Sequence, residues 1–328
     1  MLEATDLVKH YQVKEKSGWL RKQTKTIQAV GGLSLQINRG EIIGLLGVNG
    51  SGKTTTIKML ASLLLPSSGT IRIDGLDALT HSQYVKQHVN MIAGGERMLY
   101  WRLNAIENLM YFGSLYGMKG KMLKSRCDQL IDLVGLREAA DIPVERYSKG
   151  MKQRLQIARG LINDPDYLFL DEPTLGLDAP VAKQLRQTVR MLARERNKGI
   201  LLTSHYLEEV EVLCDRVYII EQGKLLLQDT PENIIQQVVK NFHLTATLEQ
   251  MDAEKERALS IQLEKKGIQL AVTPFQDEVS LKMTGPFDFT SLFIAFITEQ
   301  KLQLKKLETS KPKLEDAILQ LAESSRVS

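Results

Sequence analysis

The stretch that decides the fold is Gly47-Val48-Asn49-Gly50-Ser51-Gly52-Lys53-Thr54-Thr55. It follows an apolar run, Glu41 to Leu46, that predicts a buried strand, and it precedes Thr56 to Leu65, where apolar residues recur at helical spacing. Glycines between a strand and a helix let successive backbone N–H groups face a polyphosphate, and the helix adds the positive end of its dipole. In such a loop Lys53 reaches the β- and γ-phosphates and the Thr54 hydroxyl ligates Mg²⁺. The stretch therefore predicts a phosphate-binding loop.

Length and composition limit the class of protein. The 328 residues predict about two domains, and 43% hydrophobic with 25% charged residues indicates a soluble globular protein. A net charge of +4 is too small to indicate nucleic acid binding, so no nucleic acid partner is expected. No apolar run approaches the roughly 20 residues of a membrane span, and no secretory signal is evident, so we expect a cytoplasmic protein. Cys127 and Cys214 stand alone, which predicts two buried, reduced thiols.

A second motif carries paired carboxylates. The apolar run Tyr167 to Leu170 predicts a buried strand that delivers Asp171 and Glu172 to its end. Ligands of an open parallel sheet collect at the carboxyl ends of its strands, so both side chains should point toward the phosphate site. Asp171 can then hold Mg²⁺, and Glu172 can accept the proton of an attacking water. A strand-end salt bridge would be favoured for an isolated pair, but the upstream phosphate loop favours catalysis.

Three further features keep two interpretations each when they are taken alone. His205 follows a predicted strand, Gly199 to Thr203, and either contacts a γ-phosphate or is a capping or surface residue. Tyr11 either stacks on a base or is a half-buried strand aromatic. The basic segment 14–26 is a solvated loop or hairpin, or a contact for a membrane surface or a partner.

The middle of the chain predicts a helical subdomain inserted into a nucleotide-binding core. Leu103 to Tyr116 and Ser125 to Val134 both have helical periodicity. The small polar turn Tyr147 to Arg154 opens a further helix, predicted over Lys152 to Ile162. An aromatic cluster in this region forms either a core or a groove for a partner: Tyr100, Trp101, Tyr111, Phe112 and Tyr116.

Together these pieces resemble the ATP-binding subunit of ATP-binding cassette (ABC) transporters over roughly residues 1–235. GVNGSGKT looks like Walker A, YSKGM like the signature loop, YLFLDE like Walker B, and LGLD at Leu175 to Asp178 like the D-loop. Tyr11 looks like the adenine-stacking aromatic and His205 like the switch histidine. The resemblance implies an α/β fold of P-loop NTPase type with a RecA-like core, an antiparallel β-subdomain and a helical subdomain at about 96–160.

The resemblance also implies a dimer. Two copies, or this chain and a close paralogue, would pair head to tail with ATP between Walker A of one and the signature loop of the other. Ser148 and the Gly150 amide would contact the γ-phosphate in trans, and the D-loop would bring Asp178 to the same site. This agrees with elementary chemistry, because a small hydroxyl and a bare N–H at a helix start form an anion site.

Two motifs depart from the family pattern. The usual signature is Leu-Ser-Gly-Gly-Gln, whereas Tyr147, Lys149 and Met151 replace three of its five residues here, and Lys149 adds charge that favours phosphate. In the place of the Q-loop, Gly95 stands where a glutamine is expected and Glu96 follows it. We therefore expect Glu96 to ligate Mg²⁺ or a water instead.

The remainder, residues 240–328, predicts a second domain. Its strands and helices follow the order β-α-β-β-α-β-α, which is typical of a small ferredoxin-like α+β domain. Lys311 to Asp316 resembles the closing motif of the C-terminal domain in drug-resistance-type exporter ATPases. Such a domain would be regulatory or would stabilise the dimer, and simple packing is the alternative.

The resemblance implies the ATPase of an ABC-2 type exporter, peripheral on the inner face of the membrane beneath separately encoded permease subunits. Its catalytic residues would be Lys53, Glu172 and His205, with ATP as substrate and Mg²⁺ as cofactor. Three alternatives stay open: a phosphoryl-transferring kinase, a mechanical ATPase acting on ribosome or DNA, and an ATP-binding subunit with weak hydrolysis. A kinase would share Walker A but neither YSKGM nor LGLD.

Overall fold

The computed structural model describes residues 1–17, 21–93, 99–238, 242–275, 278–310 and 312–327. The chain divides into two compact units, Met1–Pro231 and Glu232–Ser328. Each unit has its own cluster of buried apolar side chains.

The first unit contains an antiparallel sheet of four strands in the order β2-β1-β4-β5. Its strands are β1 (Leu2–Ser17), β2 (Arg21–Ile37), β4 (Ser68–Ile73) and β5 (Leu76–Asp77). Beyond Val8, which pairs with Ser68, β1 keeps only β2 as a partner, and the two strands continue as a ribbon as far as the pair Ser17 and Arg21. The basic segment 14–26 is therefore a hairpin in its described part, while its residues 18–20 lie outside the described ranges.

A six-stranded sheet forms the centre of the same unit, in the order β10-β9-β3-β8-β7-β6. Its strands are β3 (Ile42–Leu46), β6 (Val89–Ala93), β7 (Tyr167–Asp171), β8 (Gly199–Thr203), β9 (Arg216–Glu221) and β10 (Lys224–Asp229). All neighbours are parallel except β10, which is antiparallel to β9. The carboxyl ends of β3, β7 and β8 consequently lie side by side, and this edge carries the site.

Helices follow or connect these strands. Their bounds are α1 (Lys53–Leu60), α2 (Ser82–His88), α3 (Ala105–Leu115), α4 (Gly120–Leu133), α5 (Lys149–Gly160), α6 (Ala179–Arg194), α7 (Leu207–Leu213) and α8 (Pro231–Val238). Short 3₁₀ turns lie at Arg137–Ala139 and Val144–Arg146. Among the described residues, none of the helices combines the length and the apolar character that a bilayer crossing requires.

Several predicted helix bounds are wrong, among them the start of α4 at Gly120 rather than Ser125, and two of the differences have a clear local cause. The first helix ends at Leu60 rather than Leu65, because Ser62 adopts a left-handed conformation with φ of 55° and the following amides turn back to the Lys58 carbonyl. The helix of the signature segment begins at Lys149 rather than Lys152. Its start is fixed by Ser148, whose hydroxyl accepts a hydrogen bond from the Met151 amide at 3.2 Å.

One apolar cluster joins the two sheets of the first unit. It includes Leu33 and Leu35 of β2, Ile43 and Leu45 of β3, and the buried face of α1 represented by Ile57, all at most 4% exposed. This packing fixes α1, and with it the phosphate loop, against the centre of the parallel sheet. Both cysteines are buried, as the sequence predicts.

The second unit contains one antiparallel sheet in the order β12-β13-β11-β14. Its elements are β11 (Phe242–Leu248), α9 (Ala253–Glu264), β12 (Gln269–Phe275), β13 (Glu278–Gly285), α10 (Thr290–Glu299), β14 (Leu304–Ser310) and α11 (Leu314–Val327). Alternate residues of β11, Leu244, Ala246 and Leu248, pack in one cluster with Phe293 of α10 and Leu259 of α9. Element order and strand order are those of a ferredoxin-like domain, so that prediction is confirmed.

Candidate nucleotide-binding site

The phosphate loop connects β3 to α1 at the carboxyl edge of the parallel sheet. Gly47 fits only without a side chain, because a Cβ there would lie 2.2 Å from the Ile220 carbonyl oxygen and 2.5 Å from Oγ of Ser51. Gly52, the residue before α1, has φ of 106°, and a Cβ there would lie 2.5 Å from the Ala29 carbonyl oxygen. The loop backbone is therefore wound too tightly for larger residues at these two positions.

The loop contains a polar atom that the protein does not satisfy. Ser51 is 2% exposed, and its Oγ has no hydrogen-bond partner among the described residues. A buried hydroxyl without a partner is costly, so an unpaired one in a native structure indicates a ligand or a water. Beside it, nothing lies within 4 Å of the place where a Cβ of Gly50 would stand. Val48, Asn49 and Gly50 are exposed, so this side of the loop is open.

The buried side chain of Lys53 folds back onto the carbonyl groups of the phosphate loop. Its ammonium group donates hydrogen bonds to the carbonyl oxygens of Gly47 at 2.6 Å and Val48 at 3.1 Å, and the side chain is buried. Burial lowers the pKa of Lys53, and the charges of Glu172 and Asp171 partly oppose that change. The ammonium thus contacts two loop carbonyls and is close enough to two carboxylates for their charges to act on it, so it is the cation that a polyphosphate at this loop would meet.

Thr54, the second residue of α1, and Asp171, the last residue of β7, lie together. The Thr54 hydroxyl donates to Oδ2 of Asp171 at 3.4 Å, and the Thr203 hydroxyl donates to Oδ1 at 2.7 Å. Asp171 and Thr203 are opposite each other in the register of β7 and β8. A hydroxyl and a carboxylate that share one side of a phosphate loop supply the oxygen donors that Mg²⁺ accepts together with substrate phosphates, so these residues fit the ion.

Glu172 has a strained backbone that Thr203 holds in place. Its φ of 53° is in the left-handed region, which costs a residue with a side chain about 1–3 kcal/mol. The Glu172 amide donates to both the carbonyl oxygen and the hydroxyl of Thr203, each at 3.1 Å. This turn directs the carboxylate to His205, whose Nε2 lies 2.8 Å from Oε1 of Glu172. An acid group and an imidazole are thus paired beside the phosphate loop.

Thr203 is the residue of this cluster that sequence reasoning missed. It contacts both Asp171 and Glu172, yet it is the last residue of a different strand. A hydroxyl at the end of a buried apolar strand is the only available sequence signal. Its use depends on β8 lying next to β7, which the local pattern does not encode.

The structure thus brings Lys53, Thr54, Asp171, Glu172 and His205 together at one edge. Thr55, the next residue of the loop segment, is the third residue of α1 and is partly exposed. Glu96, predicted as a substitute metal ligand, lies outside the described residues, as does Gly95.

Other predicted site residues lie on separate elements. Tyr11 is on the ribbon of β1 and β2, 36% exposed, with the Lys9 ammonium 5.7 Å from its ring centre. Asp178 directly precedes α6, and its side chain makes no hydrogen bond to the helix start.

The signature loop packs on the D-loop region of its own chain. Ser148 caps α5, and a Cβ on Gly150 would lie 2.9 Å from Cγ1 of Val181 in α6. Nζ of Lys149 lies 2.0 Å from the place where a Cβ on Gly176 would stand. Because α5 starts directly against α6, substitution of Gly150 by any larger residue would displace the loop.

Comparisons with known proteins agree with this geometry. The family described as ABC transporter matches residues 30–175. The ABC transporter ATP-binding protein NatA of Bacillus subtilis (strain 168) is 42% identical over 234 residues, which are 71% of this chain and 91% of NatA. The linearmycin resistance ATP-binding protein LnrL of the same organism is 33% identical over 300 residues, covering 90% of this chain and 94% of LnrL.

Solved structures show the same fold. The dimeric ATP-binding cassette MJ0796, determined in a post-hydrolysis state bound to ADP and Pi, has a TM-score of 0.61 at 22% identity. The match covers 70% of this chain and 98% of that cassette. Fold and phosphate loop define a P-loop nucleotide-binding protein of the ABC type, as predicted. The chain belongs to the family of ABC transporter ATP-binding proteins, and its enzymatic activity is ATP hydrolysis.

Proposed function

We propose that this chain powers export of a substrate through a separate membrane permease, as a dimer that hydrolyses ATP at the cytoplasmic face of the membrane. The observation that supports it most is the convergence of the phosphate loop, Asp171, Glu172 and His205 at the carboxyl ends of three parallel strands. Hydrolysis by a P-loop protein needs hydrogen-bond donors for the phosphates, a carboxylate that holds the metal and a base in one place. The residues at this edge are of the types that can supply all three, which supports the proposal.

The chemistry follows from these residues. Amides of the loop 47–55 and the Lys53 ammonium bind the phosphates. Thr54 and Asp171 would hold Mg²⁺, which would neutralise phosphate charge when bound. Glu172 accepts the proton of the attacking water. His205, 2.8 Å from Oε1 of Glu172, orients that carboxylate and the γ-phosphate. Tyr11 stacks on the adenine.

We propose that the site is completed by a second copy or a close paralogue. Ser148 and the amide of Gly150 stand at the N-terminal end of α5, where backbone N–H groups and the helix dipole attract anions. In a head-to-tail pair this end faces the γ-phosphate of the partner, with Asp178 at the same junction. MJ0796, the cassette with the same fold, is described as a dimer.

Export is the direction we propose for transport. LnrL, which matches nearly the whole chain including the second unit, is named for resistance to linearmycin. A transporter that protects a cell from a compound moves that compound outward. We assign the contacts with the substrate to the permease, which would form the transport path.

The permease contact is proposed on the aromatic cluster of the helical subdomain. Four of its members are 40–49% exposed: Tyr100, Trp101, Tyr111 and Tyr116. The rings of Tyr100 and Tyr111 meet edge to face at 4.7 Å, and their hydroxyls are 3.1 Å apart. Exposed aromatic side chains in one segment, some of them in contact with one another, are typical of a protein interface.

The test is Glu172→Gln, which preserves shape and removes the base. We expect ATP turnover to fall about 10²–10⁴-fold, because loss of a general base has that cost, while ATP binding persists. ATP should then accumulate between two copies, so phosphate release and the sedimentation coefficient with Mg·ATP are measured together. Glu195→Gln, at an exposed glutamate after α6, is the matched control and should change neither. Turnover near the native rate in Glu172→Gln would contradict the proposal.

A further inference from the structure

A buried carboxylate lies behind the candidate catalytic pair. Glu209 is the third residue of α7 and only 8% exposed, although it carries a charge. Burying a carboxylate is costly unless hydrogen bonds and an opposite charge compensate it. Its position outside the phosphate loop means that nucleotide binding does not account for it.

Three side chains compensate Glu209. The Thr174 hydroxyl donates to Oε2 at 2.6 Å, and the Ser204 hydroxyl lies 3.3 Å from the same oxygen. Arg186 of α6 donates to Oε1 at 2.5 Å. Each donor comes from a different segment, so a single carboxylate connects the turn after β7, the end of β8 and helix α6.

Two of these segments carry the catalytic pair. Thr174 follows Glu172 by two residues, and the intervening turn is closed by the Leu175 amide, which donates to the Glu172 carbonyl at 3.2 Å. Ser204 directly precedes His205. The carboxylate of Glu209 therefore connects the same two segments as the pair of His205 and Glu172. Glu209 is buried, whereas that pair is partly exposed.

The same carboxylate reaches the D-loop. Thr174 is the residue before Leu175 to Asp178, and its carbonyl accepts a hydrogen bond from the Leu177 amide at 3.1 Å. Arg186 lies on α6, the helix that begins directly after the D-loop. The residue before the D-loop and the helix after it are thus both tied to Glu209, one through the Thr174 hydroxyl and the other through the Arg186 guanidinium.

We propose that Glu209 is a positioning residue that holds the switch histidine, the base Glu172 and the D-loop in one fixed arrangement. The inference rests on the proposed function, because it takes Glu172 as the base and His205 as its neighbour. Glu209 does not touch the nucleotide. It acts through Thr174 and Ser204, so its loss affects the rate of hydrolysis and leaves nucleotide affinity intact.

The test compares Glu209→Gln with Glu211→Gln in the full chain. Glu211 is an exposed glutamate two residues further along α7. We expect Glu209→Gln to lower kcat about tenfold, as expected for loss of a charged buried hydrogen bond. The Kd of a fluorescent ATP analogue should stay within about twofold of the value for the unsubstituted protein. The kcat is calculated per molecule of protein that binds nucleotide. Glu211→Gln should change neither quantity. A purely structural role would instead lower thermal stability and nucleotide binding together, with kcat per binding-competent protein unchanged, and would overturn the proposal.

A double-mutant cycle gives an independent readout. Thr174→Val and Ser204→Ala each remove one donor to the same oxygen of Glu209, so their effects on kcat should combine to less than their product. Fully multiplicative effects would overturn the proposal. Loss of turnover in Glu172→Gln with native kcat in Glu209→Gln would reject the role of Glu209 alone. Native turnover in Glu172→Gln would reject the proposed site, and with it the pair that Glu209 is said to position.

Discussion

At the scale of single residues, Gly47 shows how little freedom the phosphate loop has. A Cβ at this position would meet the Ile220 carbonyl oxygen at 2.2 Å, and a backbone atom of a buried strand cannot move aside cheaply. Gly47→Ala should therefore displace the loop by about 1 Å and lower ATP turnover about 100-fold or more. Phosphate release measures the loss of ATP turnover, and titration with a fluorescent ATP analogue measures how far the displaced loop still binds ATP.

The control for Gly47→Ala is Gly75→Ala. Both glycines have a positive φ, 155° at Gly47 and 83° at Gly75. Gly75 is in the turn between β4 and β5, and nothing lies within 4 Å of its Cβ position. Gly75→Ala should cost about 1 kcal/mol of stability and leave turnover unchanged. Equal loss of turnover in both variants would mean that backbone conformation, not the tight fit of the loop, explains the effect.

Residue-level prediction from the sequence reached the side chains that local spacing identifies. Lys53 and Thr54 are fixed by the spacing of the loop, and Asp171 and Glu172 by the apolar run before them, and the structure places all four at one edge. Thr203 was missed, because its contacts depend on which strand lies beside β7. The left-handed backbone of Glu172 was missed as well, because no glycine marks it.

At the scale of elements, α3 has a complete capping box at its start. The Asn104 side chain accepts from the Glu107 amide at 2.8 Å, and the Glu107 side chain accepts from the Asn104 amide at 2.9 Å. Asn104→Ala should lower the free energy of unfolding by about 1 kcal/mol. Urea denaturation measures it, with Lys119→Ala as control, because Lys119 precedes α4 without a side-chain cap. Lys119→Ala should change stability by less than about 0.5 kcal/mol, and equal losses would assign the cost to something other than capping.

Element bounds were predicted well where one face is buried and poorly where a single residue ends the pattern. The strand Gly199–Thr203 has the predicted bounds, since the whole of its short apolar run is buried. The first helix is shorter than its apolar spacing indicates. Leu63 and Leu65 continue that spacing but are 68% and 65% exposed, so periodicity alone overstated it.

At the scale of the whole molecule, the order of strands was not available from local patterns. The sequence indicated a parallel sheet, but β3 lies between β8 and β9, strands that follow it by more than 150 residues. In this order, residues of α1 and of both sheets pack in one apolar cluster, a long-range arrangement that no local pattern encodes. The ferredoxin-like unit was predictable, because its seven elements follow one another with clear changes of period.

The second unit offers a test of the proposed division at residues 235–240. Because its buried cluster is made of its own residues, a separately produced segment 240–328 should fold and unfold cooperatively in urea. Phe293 is fully buried in that cluster. Phe293→Ala should therefore lower the free energy of unfolding by about 3–5 kcal/mol, which is most of the stability of a domain this small. Phe275 is 66% exposed, so Phe275→Ala, the same chemical change, should cost less than about 0.5 kcal/mol. Circular dichroism follows the urea midpoint of each variant. If the unsubstituted segment showed no cooperative transition, or if both substitutions shifted the midpoint equally, residues 240–328 would not be an independent domain built on this cluster.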